Sequence, residues 1–180
     1  MKRQLKYLVL SAMFIAMGLI LPFFTGQVPK IGNMLLPMHL PIMLCGLICG
    51  WRYGAAAGAV TPLLRSLVFG KPLMFPSATA MAFELAAYGA VIGLVFAMCK
   101  KRNLVSVYIS LVISMLTGRM VWGAVMSLLL IGGEGFTVAA FIAGAFTTAI
   151  PGIILQLVLI PPIMLVLDRT HLVPLKNDDN

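Results

Sequence analysis

Apolar residues in this chain come in long blocks, and the few polar ones mark where the blocks end. A helix that crosses a bilayer needs about 20 predominantly apolar residues, with a working range of roughly 17–25. Six blocks stand out: Leu5–Phe24, Leu36–Gly50, Tyr53–Phe69, Ser77–Cys99, Leu104–Ile131 and Thr137–Leu167. Lipid offers a backbone no hydrogen-bond partner, so each block must be helical. The period-2 alternation of a membrane barrel is missing from the sequence. The pattern predicts an all-α membrane protein, six transmembrane helices in a single domain, residues 1–180. The second span is short and interrupted by Pro37 and Pro41. The sixth is long enough to tilt or bend, with Pro151, Pro161 and Pro162 as bend points. The third opens Gly54-Ala55-Ala56-Ala57-Gly58-Ala59, a small-residue face that reads as internal helix packing.

Composition sharpens this picture. The chain is 61% hydrophobic and 10% charged, against about 25% charged in soluble domains, and its mean hydropathy is +1.05. A net charge of +8 raises the question of nucleic acid. The basic residues, however, are scattered over short connections, with no basic helix face and no interleaved aromatics, so no nucleic-acid partner is expected. They orient the chain instead. Lys2, Arg3, Lys6, Arg52, Lys100, Lys101, Arg102, Arg169 and Lys176 fall on one side, nine in all, and only Lys30 and Lys71, with Glu134, on the other. By the positive-inside rule the N- and C-termini are cytoplasmic and the first, third and fifth connections face outward. The basic start followed by Tyr7–Phe24 has the outline of a signal peptide, but no A-x-A-like cleavage site follows, so it is read as an uncleaved first span. The expected location is a plasma membrane, multi-pass and bacterial. No internal repeat is evident, which argues against an inverted-repeat transporter. The tail Lys176–Asn180 is polar and expected to fray. Cys45 and Cys49 share a helix face, but no His or carboxylate joins them at ligand spacing, so they read as packing residues, and no metal or cofactor is expected.

Against that apolar background, three charges inside the spans carry the functional signal: Arg65, Glu84 and Arg119. A charge at the bilayer centre costs roughly 2.5–3.5 kcal/mol on insertion scales. Their formal sum is one uncompensated positive charge, which suggests a pocket for a carboxylate or similar anion. At 1.5 Å rise per residue, the orientation places Arg65, Glu84 and Arg119 at mid to outer depth, with His39 near the outer mouth of the second span. Gln156 is the strongly polar candidate of the inner half. Trp122 lies one turn from Arg119 and Tyr88 one turn from Glu84, so aromatic rings flank the charges. The outer connections are candidate lids, and Asn33 in the first is a candidate contact as well as a turn former. Arg65 and Glu84 also admit a plainer reading, an ion pair that locks the third and fourth spans together. On the first span, Ala12 and Ala16 stand four apart and form a small-residue face.

The whole layout resembles the substrate-binding S component of an energy-coupling factor (ECF) transporter. The resemblance rests on six spans in about 180 residues, on Ala12 and Ala16, on the stretch Pro37-Met38-His39-Leu40-Pro41 continuing through Cys45-Gly46 to Trp51-Arg52-Tyr53-Gly54, and on Phe83-Glu84-Leu85-Ala86-Ala87-Tyr88-Gly89. It implies a subunit that captures a vitamin or related micronutrient from outside under its outer loops. It further implies docking through Ala12 and Ala16 on a transmembrane coupling subunit with two ATPase subunits, and toppling in the membrane to release cargo inward. The family motif continues to an Asn where this chain has Ile20. Metal-specific members use an N-terminal His; this chain begins Met1-Lys2-Arg3. No Walker A motif and no nucleophile-base-orienter set is present in the sequence, and no enzymatic activity is expected. The buried positive charge favours a carboxylate such as pantothenate, with folate, biotin or a phosphorylated vitamer open. The alternative from another class is a stand-alone secondary transporter of a small organic anion, with Glu84 as the proton-coupled group.

Overall fold

The structure, a computed structural model, describes residues 2–25, 36–99, 103–130 and 149–169. They form six α-helices: α1 (Lys2–Thr25), α2 (His39–Cys49), α3 (Trp51–Phe69), α4 (Thr79–Met98), α5 (Leu104–Leu129) and α6 (Ile150–Arg169). One π-helical turn, Met74–Ala78, leads into α4. No strand occurs among the described residues. Among the described residues, four segments are long and apolar enough to cross a membrane: Gln4–Phe24, Met74–Met98, Leu104–Leu129 and Ile150–Arg169. The chain is an all-α, multi-pass membrane protein.

The helices follow the apolar blocks closely, and the departures have local causes. α2 has only 11 residues, about 16 Å at 1.5 Å per residue, which is half the hydrocarbon thickness. Pro37 biases Leu36 away from helical backbone, and Leu36 sits at φ 49; α2 therefore starts at His39. Pro41 does not interrupt it. It is the third residue of the helix, where a backbone N–H would have no intrahelical acceptor in any case. α3 has the length of a span at 19 residues, but Arg52, Arg65 and its run of Gly and Ala keep it less apolar than the others. Of the long sixth block, α6 is the described portion; residues 131–148 lie outside the described residues, as do the first and fifth connections. Pro161 and Pro162 fall inside α6, which remains one helix through both.

Two glycines set the hairpins. Gly50 at φ 93 gives its N–H to Gly46 O at 3.1 Å, and α3 begins at the next residue. Gly70 closes α3 in the left-handed region at φ 68, with its N–H on Ser66 O at 2.9 Å. At the start of α5, Asn103 Oδ1 accepts from the Ser106 N–H at 3.0 Å, an N-cap that fixes where the helix begins.

α4 is the central helix and packs on α2, α3 and α5. Its contact with α3 is backbone to backbone. A Cβ added to Gly54 would lie 2.5 Å from the carbonyl oxygen of Gly89, and one added to Gly93 would lie 2.6 Å from the nitrogen of Trp51. A Cβ on Gly58 would strike the carbonyl of Leu85. The pairs Gly54–Gly58 and Gly89–Gly93 are each four residues apart, so each puts its two glycines on one helix face. The small-residue face expected on the third span is thus internal packing. The core that α4 organises includes Ile42, Met43, Leu85, Ile92 and Leu111, all fully buried. α1 lies against α2 and α3, and α6 against α5 and α2.

Candidate functional site

Four side chains from three helices meet in the interior. Glu84 and Tyr88 lie one turn apart on α4, Arg119 on α5, and His39 is the first residue of α2. Their exposures are 2% for Glu84, 2% for Tyr88, 5% for Arg119 and 1% for His39, so water does not compensate their polarity. Arg119 Nη1 approaches Glu84 Oε1 at 2.9 Å, and His39 Nε2 stands 3.5 Å from the same oxygen. The His39 ring meets Tyr88 edge to face, with centroids 5.1 Å apart and planes at 76°. Gly118, next to Arg119, makes room for this: a Cβ there would come within 2.7 Å of Tyr88 Cε2. The tyrosine ring lies flush on the α5 backbone, and α4 and α5 approach closely enough for the ion pair.

The arrangement leaves one edge of the guanidinium open. Among the described residues, Arg119 Nε and Nη2 have no hydrogen-bond partner, and neither does His39 Nδ1. Nε and Nη2 are adjacent donors, the fork that takes two oxygens of a carboxylate side by side. A buried donor left unmade costs about 1–3 kcal/mol. Gln156 on α6 is also 2% exposed, and its Nε2 has no partner among the described residues.

Arg65 corrects the expected electrostatics. It does not join the cluster and makes no ion pair with Glu84. Its Nη1 donates to Leu19 O of α1 at 2.5 Å, and its guanidinium lies 4.9 Å from the Phe23 ring centre and 5.6 Å from that of Phe69. Arg65 clasps α1 to α3. Glu84 is paired by Arg119 instead, so the buried cluster sums to zero with His39 neutral and to one positive charge with His39 protonated. The histidine thus takes the place that sequence alone gave to Arg65. His39, about 16 Å from the Gly50 turn along α2, is enclosed by its neighbours.

Of the remaining candidates, Trp122 is half-buried one turn along α5 from Arg119. Asn33 lies outside the described residues. Ala12 and Ala16 are both exposed on α1, on the same stripe as Met13 and Met17. Cys45 Sγ donates to Ser11 Oγ at 3.6 Å, which joins α2 to α1. Among the described residues no group of three His, Cys, Asp or Glu gathers to hold a metal ion. Gly118 was not singled out in the sequence; its only signal is its place beside an intramembrane arginine.

Comparison with known proteins places these features in a family. The family model described as ECF transporter, substrate-specific component, matches residues 6–164. No curated protein and no solved structure gave a match. The chain belongs to the substrate-specific components of ECF transporters, membrane subunits of a transport system rather than enzymes.

Proposed function

We propose that this S component captures a small, vitamin-like organic anion from outside the cell and hands it to a transmembrane coupling subunit driven by two ATPase subunits. Pantothenate and folate-like molecules are the leading chemical types. The observation that carries the reading is the open Nε–Nη2 edge of Arg119, buried beside an ion pair and a histidine in a substrate-capturing family. Glu84 holds Arg119 in place, and Tyr88 and His39 wall the cluster with aromatic surface. In this reading the chain crosses the bilayer six times, with α2 the shortest of the crossings, and both termini are cytoplasmic, as the nine-to-two distribution of basic residues favours. The membrane is the bacterial plasma membrane. Ala12 and Ala16 dock on the coupling subunit.

The test is binding by the purified full chain in detergent, read by titration calorimetry against pantothenate, folate, biotin and nicotinate. One of these carboxylates is expected to bind, and Arg119→Ala to weaken it by about 2–5 kcal/mol, roughly 30-fold or more. Wild-type affinity in that variant would remove Arg119 from the site. Gradient-driven uptake by vesicles holding this chain alone would instead support the stand-alone proton-coupled transporter.

A further inference from the structure

α6 holds a polar side chain that the cluster described above does not use. Four of its five buried residues, Gly152, Gln156, Ile160 and Met164, recur every four positions and form one stripe, with Pro161 beside it. α6 packs on α5 and α2, the helices that carry Arg119 and His39. The stripe is otherwise Gly, Ile and Met; a glutamine there must find a partner or bear the cost of desolvation. Its Nε2 has none among the described residues.

Depth places this amide at the level of the ion pair. In the orientation proposed above, Met98, Leu104 and Arg169 lie on the cytoplasmic side. Glu84 stands 14 residues from Met98, Arg119 stands 15 from Leu104, and Gln156 stands 13 from Arg169. At 1.5 Å per residue all three come about 20–22 Å from those ends. In that orientation the amide shares a layer with the open guanidinium edge.

We propose that Gln156 is a specificity-determining residue of the ligand site, giving its amide N–H to a second oxygen of the bound molecule while Arg119 holds the carboxylate. This rests on the carboxylate reading of the cluster and narrows it. Leaving aside Glu84 Oε1 and His39 Nε2, which face each other and Arg119 Nη1 in the ion pair, the unpartnered atoms of the layer among the described residues are the two of the Arg119 fork, the Gln156 amide nitrogen and His39 Nδ1. Three of the four are N–H donors, so the complementary ligand is rich in acceptors. It is a carboxylate that also carries a carbonyl or hydroxyl oxygen. A plain alkanoate meets only half of the set, and a cation meets none of it.

The experiment compares wild type, Gln156→Leu, Gln156→Glu and Arg119→Ala, each as the full purified chain. Two readouts are taken: ligand-free melting temperature, and affinity for pantothenate, biotin, folate, nicotinate and hexanoate. Gln156→Leu is expected to melt no lower than wild type, because an apolar side chain replaces an unpaired amide. It is expected to bind the preferred oxygen-rich carboxylate about 10-fold or more weaker, and to leave hexanoate unchanged. Gln156→Glu, which puts an acceptor and a negative charge where the donor was, is expected to bind that carboxylate more weakly still. Binding that needs Arg119 but is indifferent to Gln156→Leu overturns this inference and leaves the carboxylate site standing. A marked fall in ligand-free melting temperature in Gln156→Leu assigns the glutamine a structural role and also overturns it. Failure of wild type to bind any of the five probes overturns the carboxylate reading itself.

Discussion

Arg119 and Glu84 stabilise each other, so neither can be removed alone without a structural cost. Arg119→Ala strands a carboxylate that is 2% exposed, and loss of one partner from a buried pair costs about 3–5 kcal/mol. The binding defect of that variant therefore comes with a lower melting temperature. Arg119→Met combined with Glu84→Leu removes both charges at similar volume; it is expected to recover the melting temperature in a thermal shift assay while still failing to bind the carboxylate. Three of the buried ionisable groups were legible in the sequence because charge in an apolar run is conspicuous. Their partners were not. Counting residues from a helix end gives depth, but which way a side chain leaves the helix depends on packing. Arg65 has the right depth, yet it turns toward Leu19 and Phe23 on α1.

At the scale of helices, apolar length predicted α1, α3, α4 and α5 to within a few residues. Within the second block it predicted a span, and the helix described there, α2, has 11 residues, because hydropathy measures the apolar run and not how much of it is helical. Nine of the 11 residues of α2 are buried, so its short axis is sheathed by neighbours rather than by lipid. The α3–α4 contact was half visible: the Gly-Ala run of α3 announced a close approach, but nothing local named Gly89 and Gly93 as the other half. That contact is unforgiving. Gly89→Leu puts a branched side chain where the Gly54 carbonyl already sits. Overpacking of this kind costs about 1–3 kcal/mol when side chains can yield, and backbone cannot. The expected outcome is loss of monodisperse protein on gel filtration. Gly70→Ala, at a position where a Cβ meets nothing within 4 Å, bears only the left-handed backbone penalty, about 1–2 kcal/mol.

For the molecule as a whole, binding and transport are separable predictions. Ala12 and Ala16 lie on the exposed side of α1, away from the Glu84–Arg119 cluster. Ala16→Trp is expected to leave ligand affinity unchanged and to stop ATP-driven uptake in vesicles that carry the coupling and ATPase subunits. Uptake that persists would move the docking face elsewhere. Among the described residues the packing between the ion pair and the Gly50 turn is tight: Ile42, Met43, Cys45, Ile92 and Leu111 have no exposed surface, and α3 and α4 touch through bare backbone. Among the described residues, this packing gives a side-chain swing no passage to open. If the subunit captures its guest as proposed, the tightness of that base makes tipping of the entire body, not a pore, the expected route of delivery.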